Sequence, residues 1–280
     1  MMKKLLCIAL AAVFVLVLGS CATNTPEVST TSETSKAPEA STASETPDTS
    51  ATSETAEPQD DIHAKSEGTL TYAEYIATPD NTEVTIETFV QDKQSWWDNK
   101  ATLYTQDKDG AYFLYNAAIS EEDYNKLVPG QKIRVKGTKT SWSGEIEMGA
   151  GATVEILSGN YIAPAFDATS LLGNNDELAK HMNEFVTFKG VKIEAKGEEG
   201  LPYFRNWDNS GVGQADADLY FDISFNGEKY TFLVEYYLRN ENTDAYKAVE
   251  NLKVGDTVDL EGFMYWYEGP QAHITSVTVK

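Results

Sequence analysis

Two stretches of this chain carry one pattern. Leu127, Gly130, Ile133, Val135 and Gly137 align with Leu252, Gly255, Val258, Leu260 and Gly262 at one constant offset, and Trp142 and Gly144 stay in step with Tyr267 and Gly269. A repeat that keeps its glycines and its apolar alternation in phase means that the chain builds the same unit twice. It sets a boundary near residue 160, giving one domain over 67–160 and a second over 161–280. A chain of 280 residues has room for two such small domains.

Each copy reads as the same order of elements. In the first, Val84 to Val90 alternates as a strand and Lys100 to Gln106 forms another. Asp109-Gly110 is expected to turn the chain tightly into a third strand, Ala111 to Ala117. Ser120 can cap a short helix, with Asp123 at the capping-box position and Tyr124 and Leu127 on one face. Gly130 ends it before a strand over Lys132 to Lys139 and a last strand from Glu145 to Ile156. The second copy gives strands Phe185 to Ala195 and Leu219 to Phe225, an Asn226-Gly227 turn, and a strand Lys229 to Tyr236. A helix near Asp244 to Leu252 and strands Thr257 to Tyr265 and His273 to Val279 complete it.

Three strands, a helix and two strands is the order of the OB-fold, a small five-stranded Greek-key barrel. Each half resembles an OB-fold domain, and the whole resembles the tandem OB-fold surface lipoproteins of gut Gram-positive bacteria, over essentially all of 67–280. The expected class is all-β: two tandem five-stranded OB-fold barrels, each with a short helix between strands 3 and 4, after a disordered stalk. The shared Leu-x-x-Gly-x-x-Val-x-x-x-Gly rhythm speaks to fold and is nearly silent on function. The second copy departs from the first in a long first loop, Gly197 to Ala217, and an extra candidate helix, Asp176 to Asn183.

The N-terminal region has a different character. Lys3 and Lys4 precede an apolar run from Leu5 to Leu18, shorter than the ~20 residues of a membrane-spanning helix. The run closes on Leu18-Gly19-Ser20-Cys21, which resembles the lipobox of bacterial lipoproteins. That resemblance implies a signal peptide over 1–20, acylation of Cys21, and a protein lipid-anchored at the outer face of the cell membrane. Cys7 would leave with the signal peptide, so no thiol remains for a disulfide, a metal or nucleophilic catalysis. Residues 21–66 form an expected stalk rich in Ser, Thr, Pro and Glu, with near-repeats such as Ser32-Glu33-Thr34 and Ser44-Glu45-Thr46. With so little apolar surface it should stay disordered and span about 35–40 Å as a flexible coil.

The formal charge is −22, and acidic residues exceed basic ones in the stalk and in both halves. Neither half has the positive balance expected of a protein that neutralises phosphates. Lys132, Arg134, Lys136 and Lys139 form a basic stripe on one strand, but the second copy has Thr257, Asp259, Glu261 and Met264 there. A solvated strand face is the expected reading of it.

The aromatic residues are the informative set. OB-folds bind along strands 2–3 and the loops joining strands 1–2 and 4–5. All five tryptophans fall in those loops: Trp96, Trp97 and Trp207 in the first, Trp142 and Trp266 in the second, with Tyr265 and Tyr267 beside the last. Flat amphipathic rings there suit stacking on a sugar or a nucleobase. The alternative use of the same rings is to plug the barrel ends or to pack the domains together.

Other constellations point less far. Asp107, Asp109 and Gly110 lack the distal glutamate of a calcium loop, whereas Asp208, Asn209, Ser210, Asp216 and Asp218 offer hard oxygen ligands. His63 falls in the stalk, His181 on the extra helix and His273 in a strand, at spacings that name no metal or base. No catalytic residue, metal site or cofactor is expected. The reading is a monomeric, non-catalytic surface lipoprotein whose partner is an extracellular polymer, foremost a glycan. The alternatives are a nucleic acid, which the charge disfavours, a surface protein, and last a glycosidase whose two carboxylates come from distant strands.

Overall fold

The computed structural model describes residues 61–280, so Cys21, the signal sequence and most of the expected stalk lie outside the described residues. The first half contains α1 (Tyr72–Ala77), β1 (Thr82–Lys93), β2 (Lys100–Gln106), β3 (Ala111–Ala118), α2 (Glu121–Lys126), β4 (Gln131–Trp142), β5 (Glu145–Met148) and β6 (Thr153–Asn160). The second contains β7 (Phe166–Asp167), α3 (Asn175–Leu178), β8 (Phe185–Glu194), β9 (Phe204–Arg205), β10 (Leu219–Phe225), β11 (Glu228–Val234), α4 (Asp244–Glu250), β12 (Thr257–Phe263) and β13 (His273–Val279).

Both sheets close. In the first, the order β1-β2-β3-β5-β4 returns through a β1–β4 pairing, with β5 parallel to β3 and β6 continuing along β4. In the second, β8-β12-β13-β11-β10 returns through β8–β10. These are two five-stranded barrels with OB-fold strand order, each carrying a short helix between its third and fourth strands.

The repeat has a physical basis in both copies. Leu127 and Leu252 plug the barrels from beneath the helices, while Ile133, Val135, Val258 and Leu260 are fully buried on the inward face of the fourth strand. Burial of each such side chain is worth about 1.5–3 kcal/mol. Gly130 and Gly255 take φ of 90° and 94°, and their N–H groups donate to Val90 and Ile193 carbonyls at 2.7 and 2.8 Å. Gly137 and Gly262 serve close approach instead. A Cβ there would lie 2.5 Å from the Ala152 Cβ and 2.2 Å from the His273 carbonyl oxygen, where the last strand crosses.

Several local expectations change. Asp109-Gly110 is not a left-handed hairpin turn, since neither residue has positive φ. The buried Asp107 carboxylate accepts both N–H groups, at 2.7 and 3.1 Å, and Gly110 leaves room for the Tyr72 ring. The first copy's last strand is broken between Met148 and Thr153, where Gly149 and Gly151 bend the chain. The extra helix over 176–183 is a single turn, α3, followed by a 3-10 turn over Ala179–His181. Helix α1 has its own signal, Thr71 and Glu74, which form a reciprocal capping box.

The basic stripe is a solvated face only in part: Lys136 is exposed, but two of its lysines are buried. Lys132 and Lys139 are 9% and 4% exposed. Lys132 pairs with the buried Glu87 at 3.2 Å, and Arg134 reaches the same carboxylate at 3.0 Å. Lys139 donates to the Ile76 and Thr78 carbonyls and so ties off the C-terminal end of α1. A buried charge needs such partners, and here the pairing joins the barrel to the segment before it.

That segment includes residues assigned to the stalk. The His63 ring packs edge-on against Phe89 and Tyr161, with centroids 5.3 and 4.6 Å away. Lys65 pairs with Asp107 and donates to the Glu87 carbonyl, while the Ala64 carbonyl accepts from Lys132 at 3.0 Å.

Candidate ligand cleft between the barrels

Both barrels belong to one compact unit. The seam between them buries Tyr104 and Phe113, from β2 and β3, against Phe263 and Leu238. Tyr104 stacks on Phe263 with centroids 4.5 Å apart. The polar groups at the seam find partners across it: the Phe185 N–H donates to Gln106 Oε1 at 2.8 Å, and the Tyr104 hydroxyl meets His273 Nδ1 at 2.6 Å. Glu145 accepts from Asn183 Nδ2 at 2.5 Å and from the Trp266 N–H at 2.9 Å. The second barrel thus sits on part of the β2–β3 surface of the first, the face with which OB-folds take ligands.

What the seam leaves uncovered is a cleft of about 640 Å³. The first barrel lines it with Trp97, Phe113, Tyr115, Gln94 and Asn116, and the second with Glu235, Tyr237, Tyr265 and His273. The hairpin between β1 and β2 explains how Trp97 arrives there. Trp97 and Lys100 exchange two backbone hydrogen bonds around Asp98 and Asn99, both at positive φ. Successive side chains of an extended segment point to opposite faces. Trp96 therefore turns inward onto the first core, its Nε1 donating to the Ile119 carbonyl at 2.9 Å, and Trp97 turns out into the cleft. Lys100 Nζ lies 4.2 Å from the Trp97 ring.

Of the seven aromatic candidates, two meet in the cleft: Trp97 and Tyr265. Tyr265 stacks on His273 at 4.2 Å and stands edge-on to Phe113 at 5.1 Å. Trp97, Trp142 and Trp207 are 60%, 61% and 73% exposed, but Trp142 and Trp207 lie outside the cleft lining. Trp266 packs on the second core and covers Gly144, where a Cβ would come 2.9 Å from its ring. The two strand 4–5 loops touch there, the Glu268 N–H donating to the Ser143 carbonyl at 2.7 Å. Trp266 is thus a seam residue and Tyr267 an exposed neighbour outside the cleft. Tyr115, Tyr237, Glu235, Gln94 and Asn116 join the site from places that no motif marks. Glu235 and Tyr237 directly follow β11, which spacing alone could have placed beside the strand 2–3 face.

The electrostatics are distinctive. Burial, with Asp218 adding repulsion, pushes the Glu235 carboxyl up to about 8, so at neutral pH it both donates and accepts hydrogen bonds. Burial pushes His273 down to about 3, leaving it neutral beneath Tyr265. Burial likewise raises Glu145 to about 8 and Glu147 to about 7. Such carboxyls hold more protons folded than unfolded, so stability falls as pH rises from about 4.5 through their folded values. The melting temperature should drop between about pH 5 and pH 8 at constant ionic strength, then level off. Glu145→Gln should flatten part of that slope; an unchanged slope in the variant would refute a neutral Glu145 at the seam.

In the second copy's long loop, Asp208 accepts from the Ser210 N–H at 3.0 Å and Asp218 from the Tyr236 N–H at 2.8 Å. Among the described residues no cluster of three or more His, Cys, Asp or Glu side chains is arranged to hold a metal.

No protein-family model matches the chain, and no curated protein matches it. Among solved structures, it is similar to the p204 HINb domain at 12% identity and a TM-score of 0.34, covering 72% of this chain and 100% of that one. It is also similar to the Ifi202 HINa domain in complex with 20-bp dsDNA, at 11% identity and a TM-score of 0.31, over 72% of this chain and 96% of that one. A replication protein A heterotrimer bound to ssDNA matches at 8% identity and a TM-score of 0.23, over 75% of this chain and 69% of that one. At TM-scores this low the superpositions carry no argument, and the barrel assignment stands on strand pairing.

Proposed function

We propose that the two barrels form a non-catalytic binding module that holds an extracellular glycan in the cleft between them. The observation that carries this reading is the lining itself. Trp97, Tyr115, Tyr237 and Tyr265 supply aromatic rings, while Gln94, Asn116 and the half-buried Glu235 supply directional polar groups. Sugars present apolar CH faces and a rim of hydroxyls, and that combination matches both needs. Among the described residues Lys100 approaches the cleft at Trp97 but is paired with Asp98, and the chain's net charge of −22 works against a phosphate backbone. One lining residue, Glu235, carries a carboxyl, whereas glycoside hydrolysis uses two flanking the bond.

A glycan array and an oligonucleotide panel, both probed with residues 61–280, test the reading directly. Binding to a glycan that is lost with Trp97→Ala supports it. Binding to oligonucleotides alone, weakening steeply with salt, would replace it with a nucleic-acid reading.

The module is further proposed to sit at the outer face of the membrane through a lipid on Cys21, on the strength of the sequence Leu18-Gly19-Ser20-Cys21 after its apolar run. Cys21→Ser should move the protein from the membrane fraction to the medium, because the run from Leu5 to Leu18 is shorter than a spanning helix and no helix among the described residues is long and apolar enough to cross a membrane. Retention of that variant in the membrane fraction would overturn the proposal.

A further inference from the structure

We infer that the cleft is selective for an amino sugar, whose ammonium group seats against the unpaired Glu235 carboxyl within the ring of Trp97, Tyr115, Tyr237 and Tyr265. The inference rests on the carbohydrate reading above and narrows it to glycans with free amines.

Three features of the cleft point to a cation. Glu235 lines it without an ion-pair partner among the described residues; its carboxyl takes the backbone N–H groups of Leu238, at 2.7 Å, and Tyr237. The nearby bases are committed elsewhere. Arg239, four positions on, pairs with Asp92, and Lys100 pairs with Asp98 at 3.8 Å while lying over Trp97. Four aromatic rings stand in the walls, Tyr265 stacked on His273 and Trp97 with Lys100 over its ring, and aromatic rings around a carboxyl are the surroundings in which ammonium groups are held.

The other titratable groups around Glu235 do not oppose a cation. Asp218, also without an ion-pair partner among the described residues, adds negative potential, and burial pushes the Tyr104, Tyr220 and Tyr265 hydroxyls up, so they stay neutral. His273 is neutral because it is buried. A neutral sugar would leave Glu235 as an ordinary hydrogen-bonding acid. An ammonium ion would draw off its proton and gain a charge-assisted bond in a site shielded from water.

Isothermal titration of residues 61–280 with the tetramer of β-1,4-linked glucosamine and with its fully N-acetylated counterpart, at about pH 6.5 where the amines are charged, tests this. The free-amine tetramer should bind about 10-fold more tightly. In Glu235→Gln that ratio should fall to about one, with a melting curve confirming that the variant folds. Equal affinity of the wild-type protein for both tetramers overturns the inference and leaves the carbohydrate reading standing. A free-amine preference that survives in Glu235→Gln also overturns it, since the selectivity then lies elsewhere. Absence of any Trp97-dependent binding to either tetramer, in a protein that binds another glycan on the array, overturns the inference alone; absence across the whole array removes both.

Discussion

Phe263→Ala lowers the free energy of unfolding by about 3–5 kcal/mol and shifts the melting of both barrels together. Phe263 closes β12 in the second barrel, yet its ring stacks on Tyr104 of the first at 4.5 Å and tilts against Phe185 at 5.4 Å. Truncation leaves a hole in the seam rather than in either core. The hydrogen bonds there, Tyr104 to His273 and Phe185 to Gln106, would then border a void that water can enter. A denaturant titration followed by far-ultraviolet circular dichroism and by tryptophan fluorescence checks the result. Coincident transitions that move together in the variant are expected. Separate transitions, with the first barrel's midpoint unchanged, would show that the seam does not couple the two units.

The second large effect is on binding. Trp97→Ala and Tyr237→Ala should each cost ~1–3 kcal/mol, or roughly 5- to 150-fold in affinity for the glycan identified on the array, with little change in melting temperature. Both side chains are exposed at the cleft and support no core. Trp96→Ala should do the reverse. It removes packing from the first core and the hydrogen bond to the Ile119 carbonyl, costing up to about 3 kcal/mol of stability. Adjacent tryptophans with opposite phenotypes are what strand alternation demands. Equal loss of binding without loss of stability in both variants would contradict the assignment.

The barrels were legible in the sequence because their determinants are local. Strands β2, β10 and β13 match the residues that apolar alternation marks, and Asn226-Gly227 turns the chain with φ of 51° and 93°. Ser120 caps α2 as its capping pattern implies. The site was legible only in part, because it exists only once one barrel docks on the other. Loop position put Trp97 and Trp266 in the same class, but docking gave Trp97 to the cleft and Trp266 to the seam. Glu235 and Tyr237 follow a strand with no motif around them, so only the fold reveals what they face. The same holds for Lys132 and Lys139, whose partners come from β1, α1 and the segment before it. Burial of a lysine depends on what it meets, and spacing along its own strand does not record that.

The clasp formed by residues 61–66 has a mechanical consequence. When a chain is held from its N-terminal side and its ligand is pulled by flow, tension enters the first barrel through Ala64 and Lys65. The first contacts to bear the load are the Lys65 pair with Asp107, the Lys132 bond to the Ala64 carbonyl and the His63 ring between Phe89 and Tyr161. They lie ahead of β1 along the chain, so they meet the load before β1 is peeled from β2 or β4. The clasp would act as a strain relief, extending under force while the cleft keeps its shape.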